Sequence, residues 1–195
     1  MKKRAQRVLL VFVLSVSFMF GGCAKDELLS EPEPDEFFRL VSNGAVEDMS
    51  LTIYYMQPRI LTFIPVDIDS IIASCSDDKF TMYGGGGIVV IEGKDLARHT
   101  DLLYVLSNEE LKPLERSYYL NARIYYIFKD KSKRTIFEVA MWGYAGDGSA
   151  SVAILVNGLY VEDIDIYYDI VIPFLPENIA SVLEEWKPSK DKEPL

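Results

Sequence analysis

The residues able to do chemistry are few. The chain has two cysteines, Cys23 and Cys75, and one histidine, His99. A thiol beside an imidazole is the material of a nucleophilic dyad, the ring taking the proton and leaving a thiolate. No local pattern ties Cys75 to His99. Cys75 instead falls at helical spacing with Ile68, Ile71 and Ile72, where a cysteine serves as a small apolar filler. Serine hydrolysis has no Gly-x-Ser-x-Gly elbow to start from. Paired carboxylates for glycoside hydrolysis are set by spacing in three dimensions, which sequence does not carry. The run Gly84–Gly87 has no following Lys-Ser/Thr and opens no helix, so it reads as a flexible hairpin tip rather than a phosphate loop. One histidine and one spare thiol do not make an ordinary zinc cluster. Asp163 with Asp165, or Asp147 in its Gly-Asp-Gly-Ser loop, could offer oxygens to calcium, but neither has the alternating acidic spacing of a calcium loop. Both read as solvated acidic loops. The expectation is no metal, no cofactor and no catalytic site.

The strongest signal lies at the start. Lys2, Lys3, Arg4 and Arg7 precede thirteen largely apolar residues, Val8 to Phe20, and then Gly21-Gly22-Cys23. Cations, a short apolar core and a small-residue exit are the parts of a secretory signal peptide, and the core is short for a membrane span. Phe20-Gly21-Gly22-Cys23 resembles the lipobox of bacterial lipoproteins, with Phe20 where leucine is commonest. That resemblance implies cleavage between Gly22 and Cys23 and acylation of Cys23. Lys25-Asp26-Glu27, directly after Ala24, is similar to the export tag of surface lipoproteins in the Bacteroidetes type of envelope. It implies an outer-membrane address, facing either the outside or the periplasm. Asp69-Ser70-Ile71 likewise resembles the short O-glycosylation sequon of exported proteins of that type.

Removing residues 1–22 leaves sixteen cations against 30 acids, a formal charge of −14 on 173 residues. A field of that sign opposes nucleic acid and phosphate ligands and keeps the chain soluble near anionic surfaces. With Cys23 acylated, Cys75 has no partner for an intrachain disulfide, so the apolar core alone must hold the fold. Tyrosine stands out: twelve residues, with pairs at 54–55, 118–119, 125–126 and 167–168. Neighbours on a strand point to opposite faces, so each pair is expected to send one ring inward and one outward. Tyr118, Tyr125, Trp142 and Tyr144 are the candidate binding surface, since such rings build sugar platforms and protein interfaces.

The elements that would position these rings form an α+β fold. Residues 23–36 carry Pro32, Pro34 and many acids and read as an extended tether; 37–186 read as one domain and 187–195 as a charged tail. Period-two alternation marks strands at 50–56 and 118–128, with 60–64 a second strand after the first and 135–142 the return of the other. Asp67 or Asp69 is placed to cap a helix through Cys75, and Lys79–Tyr83 with Ile88–Glu92 read as a hairpin about the glycines. Residues 95–106 read as weakly helical, with Ser107 capping a further turn to Leu111. Asn157-Gly158, between Val152–Val156 and Leu159–Val161, is the strongest hairpin signal, since a type I′ turn needs two positive φ angles. Residues 143–149 read as a mobile loop. Ile179, Val182, Leu183 and Trp186 give a last helix an apolar stripe. The expected architecture is an antiparallel meander covered by that C-terminal helix and a few short ones.

Two classes of role fit. One is an anchored, non-catalytic envelope module that meets a protein partner; the other is a lipoprotein that binds a glycan or small ligand through exposed Tyr and Trp. A small hydrolase is a distant third. Each buried acyl CH₂ contributes about 0.8 kcal/mol to anchoring, so two or three chains hold firmly. Replacing Cys23 by serine is therefore expected to abolish fatty-acid labelling and move the protein from the membrane to the soluble fraction. A Cys23→Ser variant that stays labelled and membrane-bound would remove this residue from the anchor.

Overall fold

In the computed structural model the described residues are 33–58, 62, 65–82, 84–114, 121–142 and 154–188, with the side chain of Trp142 left aside. The centre is the strand β3, Ala122–Asp130. It lies between β1, Met49–Met56, and β4, Thr135–Trp142. Outside them come β2, Gly86–Glu92, on one side and the short β5, Ile154–Val156, and β6, Leu159–Val161, on the other. The order is β2-β1-β3-β4-β5-β6, antiparallel throughout. The fold is α+β.

Every residue of β3 from Ala122 to Phe128 is buried, the mark of a strand covered on both faces. Alternation splits its side chains. Ile124, Tyr126 and Phe128 join Leu51, Ile53, Val139 and Met141 in a large core on the first face. Tyr125 and Ile127 join Met56 and Ala140 in a smaller core on the second. Helices of the first face are α1, Pro34–Ser42, α4, Gly93–Leu96, and α5, Thr100–Asn108, followed later by α6, Ile166–Asp169, and α7, Glu177–Trp186. The second face is covered by α2, Ile68–Cys75, through Ile71 and Cys75, with Phe80 of α3, Asp78–Met82, beside them. In the first core Phe37 stacks on Phe137 at 4.7 Å and tilts against Phe128 at 5.0 Å. Burying one such ring contributes about 1.5–3 kcal/mol.

Local signals explain much of this. Asp67, not Asp69, caps α2: its carboxylate accepts the Ser70 N–H at 2.7 Å, a bond that holds its pKa below the ordinary value. Ser70 is exposed in that first turn. Asn157 and Gly158 take φ of 47° and 77° as the hairpin requires. Ile179 and Leu183 of α7 reach the core and Trp186 is half-buried. The charged turn is tied by Asp130, whose carboxylate accepts the Ser132 and Arg134 N–H groups at 2.8 and 3.0 Å and the Arg134 guanidinium at 2.7 Å. Arg134 also reaches Glu33 at 3.1 Å.

Four expectations change. The tether does not run to residue 36, because Pro34 occupies the first turn of α1, where its missing N–H costs nothing, and Glu33 donates its N–H to Thr135 O. The glycine hairpin is absent: 78–82 are helical, started by Asp77, whose carboxylate accepts the Lys79 N–H at 2.8 Å, and Gly86–Glu92 pair with β1 instead. Ser107 lies inside α5 and donates to Tyr104 O at 2.9 Å rather than capping a new turn. Lys187 is fastened to Asp169 and to Glu184 (2.7 Å for the latter), so the tail begins after it. Within the stretch 164–172, which the sequence left unassigned, Ile166–Asp169 forms α6. The strand at 60–64 falls outside the described residues apart from Thr62, and the loop 143–149 and the tail from 189 lie wholly outside them.

The glycines of β2 are there for closeness, not mobility. Gly85, Gly86 and Gly87 are buried, and a Cβ on Gly86 would stand 2.3 Å from Tyr55 O and 2.9 Å from the Phe80 ring. Gly86→Ala must push β1 and α3 apart, at about 1–3 kcal/mol for such overpacking. Its thermal midpoint is expected to fall by about 2–4 °C per kcal/mol lost. An unchanged midpoint would show that this close approach is not required.

Candidate interaction surface

The catalytic candidates are kept apart. Cys75 lies in the second-face core, its thiol donating to Tyr55 O at 3.2 Å, and burial pushes its pKa up to about 11. A thiol held protonated is a poor nucleophile. His99 packs edge-on against Phe174, at 4.7 Å, at the margin of the first-face core. The sheet stands between them. No dyad forms.

Of the rings chosen, Tyr125 alone has a described side chain, and it does not reach the surface. Tyr125 is fully buried, stacks with Tyr54 at 5.9 Å and donates to Glu138 at 2.7 Å. Its phenol is held neutral, pushed up by burial and then by the Glu138 charge. Tyr126, opposite in direction, is equally buried and donates to Tyr167 O at 3.1 Å. Both rings go inward because β3 has cover on both faces, a condition that period two alone does not reveal. Tyr167 and Tyr168 sit on a helical turn and are also buried. Trp142 ends β4; Tyr118 and Tyr144, like Gly22, Cys23, Lys25, Asp26 and Glu27, lie outside the described residues, as does Asp147.

What the fold does present is an apolar groove of about 190 Å³. Phe38 of α1 stands on one wall and Leu159 of the β5–β6 hairpin on the other, exposed by 37% and 50%. Leu106, Phe137 and Tyr167 form the floor, with Glu109 at the polar rim. The helical turn explains Phe38: Phe37 spends its ring on the core, and the next residue, about 100° around the helix, is left at the rim. Tyr167 is neutral there, its pKa raised to about 12 by burial and then by Glu109 and Asp163. Pockets for drug-sized ligands run about 300–1,000 Å³. This groove is smaller, and suits an inserted side chain. Sequence reading missed it, because its lining comes from five separated elements; only the adjacent Phe37-Phe38 hinted at a ring in excess of the core.

Behind Tyr167 lies an unusual acidic corner. Asp163 accepts the Tyr168 hydroxyl at 3.0 Å, while one carboxylate oxygen each of Asp163 and Asp165 is buried without a hydrogen-bond partner. Burial raises the Asp163 pKa to about 7; the Tyr168 bond opposes this and the Asp165 charge adds to it. Among the described residues no group of three or more His, Cys, Asp or Glu gathers to hold a metal, and no helix is long and apolar enough to cross a membrane. Comparison with protein-family models, with curated proteins and with solved structures finds no match.

Asp163 has a measurable consequence. Its folded pKa lies above the ordinary carboxyl value, so the folded state holds a proton that the unfolded chain has lost between about pH 4 and pH 7. Stability from this group is full below that window and falls as pH rises through it. Asp163→Asn keeps an acceptor for Tyr168 without the charge. It is expected to gain about 1–4 kcal/mol over the wild type at pH 8 and almost nothing at pH 4, by urea unfolding at both values. Equal differences at the two pH values would show that folding leaves the Asp163 pKa unshifted.

Proposed function

We propose that this protein is an envelope lipoprotein, held to the outer membrane through acylated Cys23, whose folded domain is a non-catalytic module for meeting another protein. The anchor rests on the leader and on Phe20-Gly21-Gly22-Cys23, with Lys25-Asp26-Glu27 favouring the outer face over the periplasmic one. The observation that carries the interaction role is the groove between Phe38 and Leu159, two large apolar side chains left in water at the rim of a cleft of side-chain size. Interfaces concentrate their energy where an aromatic or aliphatic anchor fills such a cleft. A glycan platform would need exposed ring faces, and Tyr125 does not supply one. The strongly acidic surface argues for a protein partner rather than a nucleic acid.

Photo-crosslinking in intact cells tests this. A photoreactive residue in place of Leu159 is expected to give one discrete protein adduct, reduced at least tenfold by Phe38→Asp, a change worth about 1.4 kcal/mol or more. The same probe at exposed Lys131, in the charged turn, is expected to give none. No adduct from Leu159, or the same adduct from Lys131, would overturn the reading.

A further inference from the structure

The two edges of the sheet are treated differently. On β6, the segment before β3 lies alongside: Leu114 donates to Tyr160 O at 2.9 Å, Glu162 donates to Lys112 O at 3.1 Å, and Pro113 bridges Val161. On β2, all seven residues pair inward with β1, from Gly86 opposite Met56 to Glu92 opposite Ser50, and among the described residues nothing pairs with the outer side. Open edges are normally blunted by a proline, a central lysine, a bulge or brevity. Residues 86–92, GGIVVIE, have none of these, and the ladder with β1 runs without a register shift. Ile88 and Val90 are 42% and 57% exposed on the second face, while Val89 and Ile91 turn toward the first-face core.

We infer that β2 is a homodimer edge: two copies pair antiparallel about Val89 and join their sheets across a two-fold axis. The residue pattern is self-complementary in that register and not in its neighbours. With Val89 opposite itself, Ile88 meets Val90 of the second copy, and the exposed side chains form one apolar strip of four. Glu92 then faces Gly86, and Lys94 faces Gly84, so no like charges meet. A shift of one residue about the axis puts Val90 opposite itself and sets Glu92 against Ile88, losing the apolar strip. Two-fold pairing also closes, consuming the edge in both copies and leaving no template for further addition. This interface is independent of the Phe38–Leu159 groove, and either can stand without the other.

The test uses the full chain, expressed with its own leader, extracted in mild detergent and measured by light scattering. The wild type is expected to show twice the protein mass of one chain. Val90→Lys places a cation in the apolar strip at an exposed position, and is expected to halve that mass with an unchanged circular dichroism spectrum. Leu159→Lys, at the groove, is expected to remain a dimer. Under mild oxidation Val89→Cys should crosslink to itself, because residues directly opposed across antiparallel strands lie about 4.5–5.5 Å apart at Cα, within disulfide reach. Ile88→Cys should not. A wild type that is monomeric at every concentration, so that the edge is left to another protein's strand, overturns the proposal. So does a dimer that survives Val90→Lys, or one that crosslinks through Ile88→Cys and not Val89→Cys.

Discussion

The structure depends on β3 being buried on both faces. A strand with seven consecutive buried residues cannot serve as the wet side of a two-layer fold. Its cost in conformational entropy, about 1–2 kcal/mol per residue for the backbone alone, is offset only if both rows of side chains leave water. That demand explains the three-layer plan: a heavy helical cover over Ile124, Tyr126 and Phe128, and the smaller lid of α2 over Tyr125 and Ile127. It explains the chemistry too. Tyrosines placed in such a strand must find acceptors in the interior, and Tyr125 and Tyr126 do so through Glu138 and the Tyr167 carbonyl.

Legibility followed range. What local physics decides was visible in the sequence: the period-two strands β1 and β3, the returning strand β4, the Asp67 cap, the Asn157-Gly158 turn and the stripe of α7. What failed was decided by partners far away in the chain. Gly84–Gly87 reads as a loose tip until Phe80 and the backbone of Tyr55 are known to press on it. Residues 79–83 read as a strand until Asp77 is seen starting a helix over 78–82. Pro34 reads as a tether residue until the N–H of Glu33 meets Thr135. Tyr125-Tyr126 gave the most instructive failure, because alternation predicts direction but not whether anything waits on either side. The groove was not legible at all, since no stretch of sequence contains it.

Burial of polar groups marks where the body is least settled. Most interior donors and acceptors are matched, whereas the corner at Asp163 and Asp165 keeps two oxygens unmatched beside a ring of phenols. Unmatched buried oxygens cost about 1–3 kcal/mol each, so the corner is held by its neighbours rather than by itself. It sits between the short hairpin β5–β6 and α6, the two elements that also shape the groove. Ionisation there and the form of the cleft meet at Tyr167, which lines the cleft and whose pKa the Asp163 charge helps to raise.

Arg134 joins three parts of the chain: its guanidinium holds Asp130 in the turn and Glu33 at the entrance to α1, while Glu33 also bonds the first residue of β4. A pull on the residues before Glu33 would therefore be received at the β3–β4 turn, next to the most deeply buried strand, rather than at a frayed end. Load introduced there is shared across the ladder of β3 with both its neighbours. Tension entering at Glu33 would thus pass through Arg134 and Asp130 into the centre of the sheet.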